Sequence, residues 1–506
     1  MRTKLGMVYL VGAGPGDPGL LTLRAADLIR RAEVLIYDAL VNPTLLQMAG
    51  EGAEIIFAGK RATNHALTQE ELNKLLADKA KEGKMVVRLK GGDPYIFGRG
   101  GEEILELQGS DVPFEVVPGI SSFVAAPNFA GIPLTHRDHC SGFTVVTGHE
   151  DPSKDESSID WKNLAESPGT KVVLMGVARI GLISEKLMDH GMSGDTPIAM
   201  VRWATTGRQN TIVGTLATIE KVVEDSGFKA PAVTIIGDVV GLRPSLNWFE
   251  KRPLFNKRIV VTRTRCQASK LSARLSELGA EALEIPTIKI AEPDERQYLL
   301  DAILTLHTYS WLVFTSPNGV DEFFKYFFRA FKDLRDIGGV KIAAVGPATA
   351  AKLEAMHLQI DAMPKKHIAS ELAKVINNEE SVENLNVMLL RAQVATKELP
   401  DQLEAFGAIV DDIPVYKTVP ETEDLNGSVL NFESFGADWI TFTSASTVEH
   451  FDARMNLSET MKKWPHLKLA SIGPETSKAI RALDLEPYVE AKEHTIDGLV
   501  DALLAD

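Results

Sequence analysis

The sequence predicts an α/β protein made of several compact units. Short apolar runs such as 85–89 and 311–314 end in glycine- or serine-bearing turns, and helical patterns follow them. The second half of the chain also repeats itself, at a spacing too long for a solenoid. The length of 506 residues corresponds to roughly three domains of about 150 residues each.

Composition and charge narrow the class of protein. Apolar residues make up 44% of the chain and charged residues 24%, which is typical of a soluble globular protein. No apolar run approaches the roughly 18 residues that a membrane helix needs, and the short run at 7–11 is predicted to be a first strand rather than a signal peptide. The two cysteines, Cys140 and Cys266, indicate a reducing cytoplasm. The net charge of −15 argues against nucleic-acid and acidic-membrane partners.

The first strand ends in a glycine-rich loop, Gly12-Ala-Gly-Pro-Gly16. A nicotinamide-binding dehydrogenase is one interpretation of this loop. It lacks the G-x-G-x-x-G spacing, however, and Pro15 stands where the helix should begin to wrap a pyrophosphate. The dehydrogenase therefore stays as an alternative only.

The next two predicted strands end in ionisable residues, Asp38 and Lys60. Open α/β sheets bind their ligands at the carboxyl ends of their strands. Each residue is thus either a site residue or an ordinary surface charge.

The segment 88–103 is the densest cluster of unusual residues in the chain. Five glycines occur between Gly91 and Gly101, and so many glycines carry a large entropic cost on folding. Asp93 can accept hydrogen bonds, and Arg99 supplies a cation. Glu102 and Glu103 are predicted to begin a helix, where negative charge is favoured. The segment is therefore predicted to be a ligand-binding loop.

A cluster of possible metal ligands lies further along the chain. It contains His136, His139, Cys140 and His149. Their spacing matches no closed zinc pattern, and Arg137 lies inside the cluster. No metal site is predicted.

Three strings carry a resemblance to a known family: V-G-A-G-P-G-D-P at 11–18, R-L-K-G-G-D-P-Y-I-F-G-R-G-G-E-E at 88–103 and G-I-P-L-T-H-R-D at 131–138. Residues 7–249 resemble the tetrapyrrole methylases, and most closely the uroporphyrinogen-III C-methyltransferases. The resemblance implies a methylase fold of two α/β subdomains and S-adenosylmethionine as methyl donor. Ser121-Ser122, where Thr-Ala is usual, and Asn128, where an aromatic residue is common, depart from the family pattern.

The resemblance also implies roles for individual residues. Asp38 takes the position of the proton acceptor and Lys60 that of the proton donor. The implied cofactor-binding residues are Pro15, Gly91, Gly92, Asp93, Ile96, Ser121, Ser122, Met175 and Ala204. The residues implied to face the substrate carboxylates are Arg88, Lys90, Arg99, His136 and Arg137.

The second half consists of two similar stretches. W-L-V-F-T-S at 311–316 recurs as W-I-T-F-T-S at 439–444, an offset of 128 by subtraction, and the G-P-x-T strings begin at 346 and 473, an offset of 127. The repeat predicts two α/β lobes that face each other. Hydroxyls and free amides at helix N-termini in both lobes could bind carboxylates, or could simply cap the helices. The residues concerned are Thr315, Ser316, Thr349, Ser444 and Thr476, and Lys468 is predicted as a further substrate-binding residue.

This half resembles uroporphyrinogen-III synthase. The resemblance implies two linker strands between the lobes, at 285–290 and 413–418, and a functional tyrosine at Tyr416. Tyr416 could equally be an interface aromatic. We expect no cofactor for this half.

Together the two resemblances imply a bifunctional enzyme. Residues 258–506 would cyclise hydroxymethylbilane to uroporphyrinogen III with inversion of ring D and loss of water, and residues 1–250 would add two methyl groups to give precorrin-2. The predicted subdomains of the first half are about 1–150 and 151–250, and 251–257 is a linker. Lobe one is predicted to comprise 258–284 with 419–506, and lobe two 291–412. We further expect a cytoplasmic homodimer joined through the first half. The alternatives are a methylase of a later precorrin, a dehydrogenase and an exported two-lobed binding protein.

Overall fold

The computed structural model describes residues 5–50, 52–59, 67–148, 159–262, 265–365, 369–424 and 426–505. Within these ranges the chain forms four five-stranded sheets flanked by helices. The predicted α/β class is confirmed. Each sheet has buried apolar residues packed on its faces. The candidate sites described below lie in loops at the strand ends.

The first sheet is wholly parallel, with the order β3-β2-β4-β1-β5. Its strands are β1 Met7–Gly12, β2 Val34–Tyr37, β3 Glu54–Phe57, β4 Met85–Lys90 and β5 Phe114–Val117. The helices beside it are α1 Leu23–Arg31, α2 Gln69–Lys81, α3 Gly100–Gly109 and α4 Ser122–Phe129. The start of α2 is fixed by a capping box in which Thr68 and Glu71 each bond the other's backbone amide. Because the five strands of this sheet are parallel, their carboxyl ends all lie at one edge of the sheet.

The second sheet is mixed, with the order β6-β7-β10-β8-β9. Strand β10 runs antiparallel to both of its neighbours. The strands are β6 Phe143–Thr147, β7 Thr170–Leu174, β8 Pro197–Arg202, β9 Asn210–Thr215 and β10 Ala232–Ile236. The helices are α5 Trp161–Glu166, α6 Ile180–Asp189, α7 Ile219–Ser226 and α8 Arg243–Leu246.

The second half of the chain contributes ten strands, which divide between two sheets. They are β11 Arg258–Val261, β12 Glu281–Glu284, β13 Ile288–Ala291, β14 Trp311–Phe314, β15 Lys341–Ala344, β16 Asn386–Ala392, β17 Ile409–Pro420, β18 Trp439–Phe442, β19 Lys468–Ser471 and β20 Val489–Glu490. One sheet has the order β12-β11-β18-β19-β20, and the other β13-β17-β16-β14-β15. Apart from the antiparallel pair of β13 and β17, all paired strands in these two sheets are parallel.

The helices of this half fill the faces of those two sheets. They are α9 Arg265–Glu277, α10 Arg296–Leu304, α11 Pro317–Ala330, α12 Pro347–Glu354, α13 Ala369–Glu379, α14 Glu398–Ala405, α15 Ser428–Phe435, α16 Ala445–Met455, α17 Leu457–Lys463, α18 Pro474–Arg481 and α19 Ile496–Leu504. The two chain crossings between the sheets pair with each other, since β13 lies antiparallel to the end of β17, with Ile288 opposite Pro420. The crossings thus form a two-stranded ribbon.

The junction between the halves is packed rather than extended. Phe249 lies edge-on to Phe129 of the first half, with ring centroids 4.8 Å apart. Leu254 is buried with Ile259 in the core beside β11. Glu250 accepts hydrogen bonds from Gln209 and Thr211, so this short segment is bonded on one side to the first half and packed on the other side into the second.

Candidate active sites

Three glycine-bearing loops meet at the carboxyl edge of the first sheet. Gly14 and Gly92 exchange two backbone hydrogen bonds, of 3.2 and 2.8 Å. A Cβ on Gly12 would stand 2.5 Å from the amide nitrogen of Gly119, so the loops after β1, β4 and β5 approach closely only because these residues lack side chains. Asp93 holds the third loop by accepting a hydrogen bond of 3.1 Å from the Gly119 amide.

The implied cofactor residues of this edge come together around Gly92. Gly92 has a φ of 69°, and a Cβ built on it would project to 3.6 Å from Ser121 Cα. Ser122 begins α4 next to it. Gly91 lies against Leu40, and Ile96 is partly exposed beyond the loop. A ligand can therefore lie against bare backbone here.

The second sheet supplies the facing side. Asp17 N–H donates a hydrogen bond of 2.9 Å to Thr205 Oγ1, and a Cβ on Gly16 would be 3.3 Å from the carbonyl oxygen of Ala204. Pro15 and Ala204 are thus on adjoining loops. Met175 follows β7 with a φ of 56° and is about half exposed. These features fit an extended cofactor held between two loop layers.

Four charged side chains form a cluster at the ends of β2 and β4. Asp38 Oδ1 accepts a hydrogen bond of 3.0 Å from the Leu40 amide, and its Oδ2 lies 3.5 Å from Arg88 Nη2. Arg88 Nε lies 3.7 Å from Glu103 Oε2. Lys90 Nζ donates to Glu103 Oε1 at 2.5 Å. Burial and the neighbouring Arg88 charge lower the pKa of Lys90, and Glu103 opposes that shift.

This cluster places Arg88 and Lys90 differently from the expected substrate-facing positions. Their side chains are 5% and 6% exposed, and that of Glu103 is 1% exposed. The two cations therefore neutralise Glu103 and border Asp38 instead of opening to a ligand. Sequence reasoning missed Glu103 as a buried partner, because a glutamate in the first turn of a helix is ordinarily explained by the helix dipole.

The other expected cations of this half are more open. Arg99 has a φ of 57° and pairs with the exposed Glu102 at 2.5 Å. His136 and Arg137 line a cleft of about 390 Å³ together with Thr135, Cys140 and Ser141. Lys60 and His149 lie outside the described residues. Among the residues that the structure describes, no three His, Cys, Asp or Glu side chains are grouped as metal ligands.

In the second half the structure joins two of the predicted residues directly. Tyr416 is 7% exposed, and its hydroxyl lies 3.1 Å from Ser316 Oγ. Ser316 Oγ caps α11 by accepting from the Gly319 amide at 3.0 Å. The register of β17 shifts at a bulge opposite Arg391 and Ala392, and such a bulge redirects the side chains that follow it.

The remaining predicted residues of the two lobes separate into two groups. Thr315 and Ser444 lie just after β14 and β18, and Ser444 caps α16 through the Thr447 amide. Thr349 and Thr476 sit at equivalent places in α12 and α18, but their side chains are buried.

Lys468 stands at the opposite end of its sheet. It is the first residue of β19, and its Nζ lies 4.0 Å from the ring centroid of Tyr488 and 5.1 Å from that of Trp439. Since ligands of such sheets bind at the carboxyl ends, we leave Lys468 out of the proposed site.

Comparison with known proteins assigns each half of the chain to a protein family. Residues 7–220 match the family model of tetrapyrrole (corrin/porphyrin) methylases, and residues 269–501 match that of uroporphyrinogen-III synthase. A porphyrin biosynthesis protein HemD of Ruminiclostridium josui is 38% identical over 505 residues, covering 99% of this chain and 98% of its own.

Two further relatives concern mainly the first half. An S-adenosyl-L-methionine-dependent uroporphyrinogen III methyltransferase of Methanosarcina barkeri is 54% identical over 246 residues, or 49% of this chain and 96% of its own. A uroporphyrinogen-III C-methyltransferase of Bacillus subtilis is 37% identical over 385 residues, or 76% of this chain and 78% of its own.

The fold and the two sites thus define a two-part enzyme of tetrapyrrole chemistry, with a methyltransferase half that belongs to an S-adenosylmethionine-dependent family. The chain belongs to the family in which a tetrapyrrole methylase is fused to a uroporphyrinogen-III synthase. The dehydrogenase and binding-protein alternatives are thereby set aside. No helix in the described ranges is both long and apolar enough to cross a bilayer.

Proposed function

We propose that the second half cyclises hydroxymethylbilane to uroporphyrinogen III, with inversion of ring D and loss of water, and that the first half then transfers two methyl groups to that product, giving precorrin-2 and S-adenosylhomocysteine. The observation that carries the proposal is the full-length match to a fused relative, combined with a glycine-floored cleft beside Asp38 in the first half. One polypeptide would then make and consume the same intermediate.

In the methyltransferase half the glycine loops would position the cofactor. Pro15, Gly91, Gly92, Ser121 and Ser122 would hold it from the first sheet, and Met175 and Ala204 from the loops of the second sheet that face them. When bound, S-adenosylmethionine supplies an electrophilic methyl group. The protein then has to align the reduced pyrrole carbon with that methyl group and accept the proton that the macrocycle loses.

Asp38 is the proposed proton acceptor. The Leu40 amide and Arg88 each border one of its carboxylate oxygens, so the carboxylate is oriented from the protein side. We propose that Arg88 and Lys90 serve this orientation. Arg99, His136 and Arg137 remain as the groups that meet the substrate carboxylates, for which arginine is best suited. Lys60 keeps its proposed donor role.

In the synthase half Tyr416 is the proposed donor to the departing hydroxyl. Ser316 Oγ already accepts the Gly319 amide, so its own proton can point to the Tyr416 oxygen, which leaves the phenol proton for the substrate. Loss of the hydroxyl gives a resonance-stabilised cation, and Thr315, Ser444 and the helix ends near Thr349 and Thr476 would hold the chain folded for closure.

The remaining features of the assignment are proposals of the same kind. The methyltransferase domain would span 1–250 (subdomains about 1–150 and 151–250), the linker 251–257 and the synthase domain 258–506, with its lobes divided at the ribbon of β13 and β17. We propose that the synthase half needs no cofactor, that the protein works in the cytoplasm, and that it forms a homodimer through the methyltransferase half.

The test of the methyltransferase assignment uses the purified full chain. S-adenosylhomocysteine binding is measured by calorimetry, and uroporphyrinogen III is then supplied with methyl-labelled S-adenosylmethionine under anaerobic conditions. We expect a product carrying two labelled methyl groups by mass spectrometry. Methylation of a later precorrin, with uroporphyrinogen III left untouched, would contradict the proposed substrate.

A further inference from the structure

The loop that would hold the cofactor is braced from two sides within the methyltransferase half. Asn42 Nδ2 donates a hydrogen bond of 2.7 Å to the Gly16 carbonyl. Thr205 Oγ1 accepts the Asp17 amide at 2.9 Å. Thr205 itself has a φ of 70°, and its amide donates to Gln209 Oε1 at 3.0 Å. The position of Pro15 therefore depends on the segments that carry Asn42 and Thr205.

Both bracing segments also touch strand β12 of the synthase half. Asn42 caps the short 3-10 helix Pro43–Met48, and Gln47 Nε2 in that helix donates to Glu284 Oε2 at 2.8 Å. In the other segment, Arg208 Nε lies 3.0 Å from Glu281 Oε1. Glu281 and Glu284 are the first and last residues of β12.

The contact at Gly207 leaves no space between the halves. A Cβ on Gly207 would stand 2.2 Å from the amide nitrogen of Glu281 and 2.4 Å from the carbonyl carbon of Ala280. Real Cβ atoms do not approach backbone this closely, so only glycine permits this approach. Both carboxylates are largely buried, and Glu281 is held a second time by Arg258 at 2.9 Å.

We infer that strand β12 of the synthase half positions the cofactor loop of the methyltransferase half, with Glu281 and Arg208 as positioning residues. This inference rests on the proposed function, because it requires that the loop at Pro15 contacts S-adenosylmethionine. Without the brace, the segment 203–209 would have to be ordered when the cofactor binds, and that ordering weakens binding.

The experiment compares two arginine variants in the full chain. Arg208→Gln removes the methyltransferase-side partner of Glu281, whereas Arg258→Gln removes the synthase-side partner, so each variant leaves Glu281 one arginine. We expect Arg208→Gln to weaken S-adenosylhomocysteine binding about five-fold or more, with a raised KM for S-adenosylmethionine and an unchanged kcat. Arg258→Gln should bind as the parent does, and Gly207→Ala should weaken binding as Arg208→Gln does.

The outcomes distinguish a failure of the proposed function from a failure of the positioning role of β12. A parent chain that does not bind S-adenosylhomocysteine overturns the proposed function itself. A binding parent with an equally tight Arg208→Gln variant overturns only the positioning by β12. Equal weakening in Arg208→Gln and Arg258→Gln, in step with a fall in melting temperature, also overturns it, because general destabilisation would then explain both.

Discussion

Asp38 is oriented by residues that do not reach the cleft. Arg88 lies between its carboxylate and Glu103, and Lys90 balances the second charge of the cluster. A neutral four-charge cluster can be buried where a single charge would be costly. The carboxylate therefore presents a fixed orientation at the strand end without being enclosed itself.

Asp38→Asn should lower the rate of methyl transfer about a hundred-fold or more. The amide keeps the shape of the side chain but cannot accept a proton as the carboxylate does. S-adenosylhomocysteine binding, measured by calorimetry, should not change. Asp195→Asn is the matched control, since Asp195 is an exposed carboxylate in the turn before β8. Full turnover in Asp38→Asn would remove this residue from the mechanism.

Tyr416→Phe should slow ring closure on the order of a hundred-fold, because it removes the hydroxyl that we propose donates to the leaving group and keeps the buried ring. The stability cost should be small, about 1 kcal/mol for one lost hydrogen bond. Hydroxymethylbilane also closes spontaneously without inversion, so the proportion of type I isomer should rise. Chromatography of the isomers and the initial rate are the two measurements.

Tyr309→Phe is the control for that change. The Tyr309 hydroxyl likewise has a hydrogen-bond partner in the same lobe, since it donates to Asp411, but Tyr309 lies before β14, at the amino end of the sheet. The two variants should have similar stability and different isomer ratios. If both give the parent's proportion of type III isomer, Tyr416 is a packing residue.

At the scale of elements, pattern and periodicity predict the strands that carry the proposed site. The ends of β1, β2 and β4 were foreseen because glycine runs and charges follow short apolar stretches. The four-residue strand β12 contributes contacts that were not foreseen, because Glu281 and Glu284 are joined to Arg208 and Gln47 across more than 70 positions of the sequence. Local sequence carries no signal for a pair of that separation, nor for the burial of Arg88 against Glu103.

The junction element shows the same limit. Residues 251–257 are predicted to be a linker, and local sequence does not indicate that Glu250, just before them, is bonded to Gln209, Thr211 and Arg243. Burial works to raise the pKa of the Glu250 carboxyl, but hydrogen bonds from Thr211, Arg243 and Gln209 outweigh burial and lower that pKa below its usual range.

Glu250→Gln should flatten the dependence of stability on acid pH. Because the folded-state pKa of Glu250 is depressed, its contribution is present above the unfolded pKa of about 4.3 and is lost as the pH falls through the folded pKa. The free energy of unfolding, measured in urea from about pH 5 to about pH 3, should fall less in Glu250→Gln than in the parent. Glu166→Gln, which changes an exposed pair with Lys162, should follow the parent. Parallel curves for Glu250→Gln and the parent would contradict this account.

At the scale of the whole molecule, the two halves share a structured border. Leu254 is buried in the core of the synthase half, although it precedes the first strand of that half. A cut in the chain should therefore fall before Leu254, immediately after Glu250.

Fragment 251–506 should be more stable than fragment 258–506. Burying one leucine contributes about 1.5–3 kcal/mol, and the shorter fragment loses it. Urea unfolding of both fragments measures the difference. Leu254→Ala in fragment 251–506 should remove most of the difference in stability between the two fragments. Identical unfolding midpoints for the two parent fragments would show that the junction does not stabilise the synthase half.

The central claim is that one chain makes a macrocycle and then methylates it. The most direct measurement supplies the full protein anaerobically with hydroxymethylbilane and methyl-labelled S-adenosylmethionine, and follows absorbance, isomer type and product mass together. We predict a type III product with two added methyl groups. Two molecules of S-adenosylhomocysteine should form for each macrocycle. Formation of unmethylated type I macrocycle alone, at the rate seen without protein, would contradict the account.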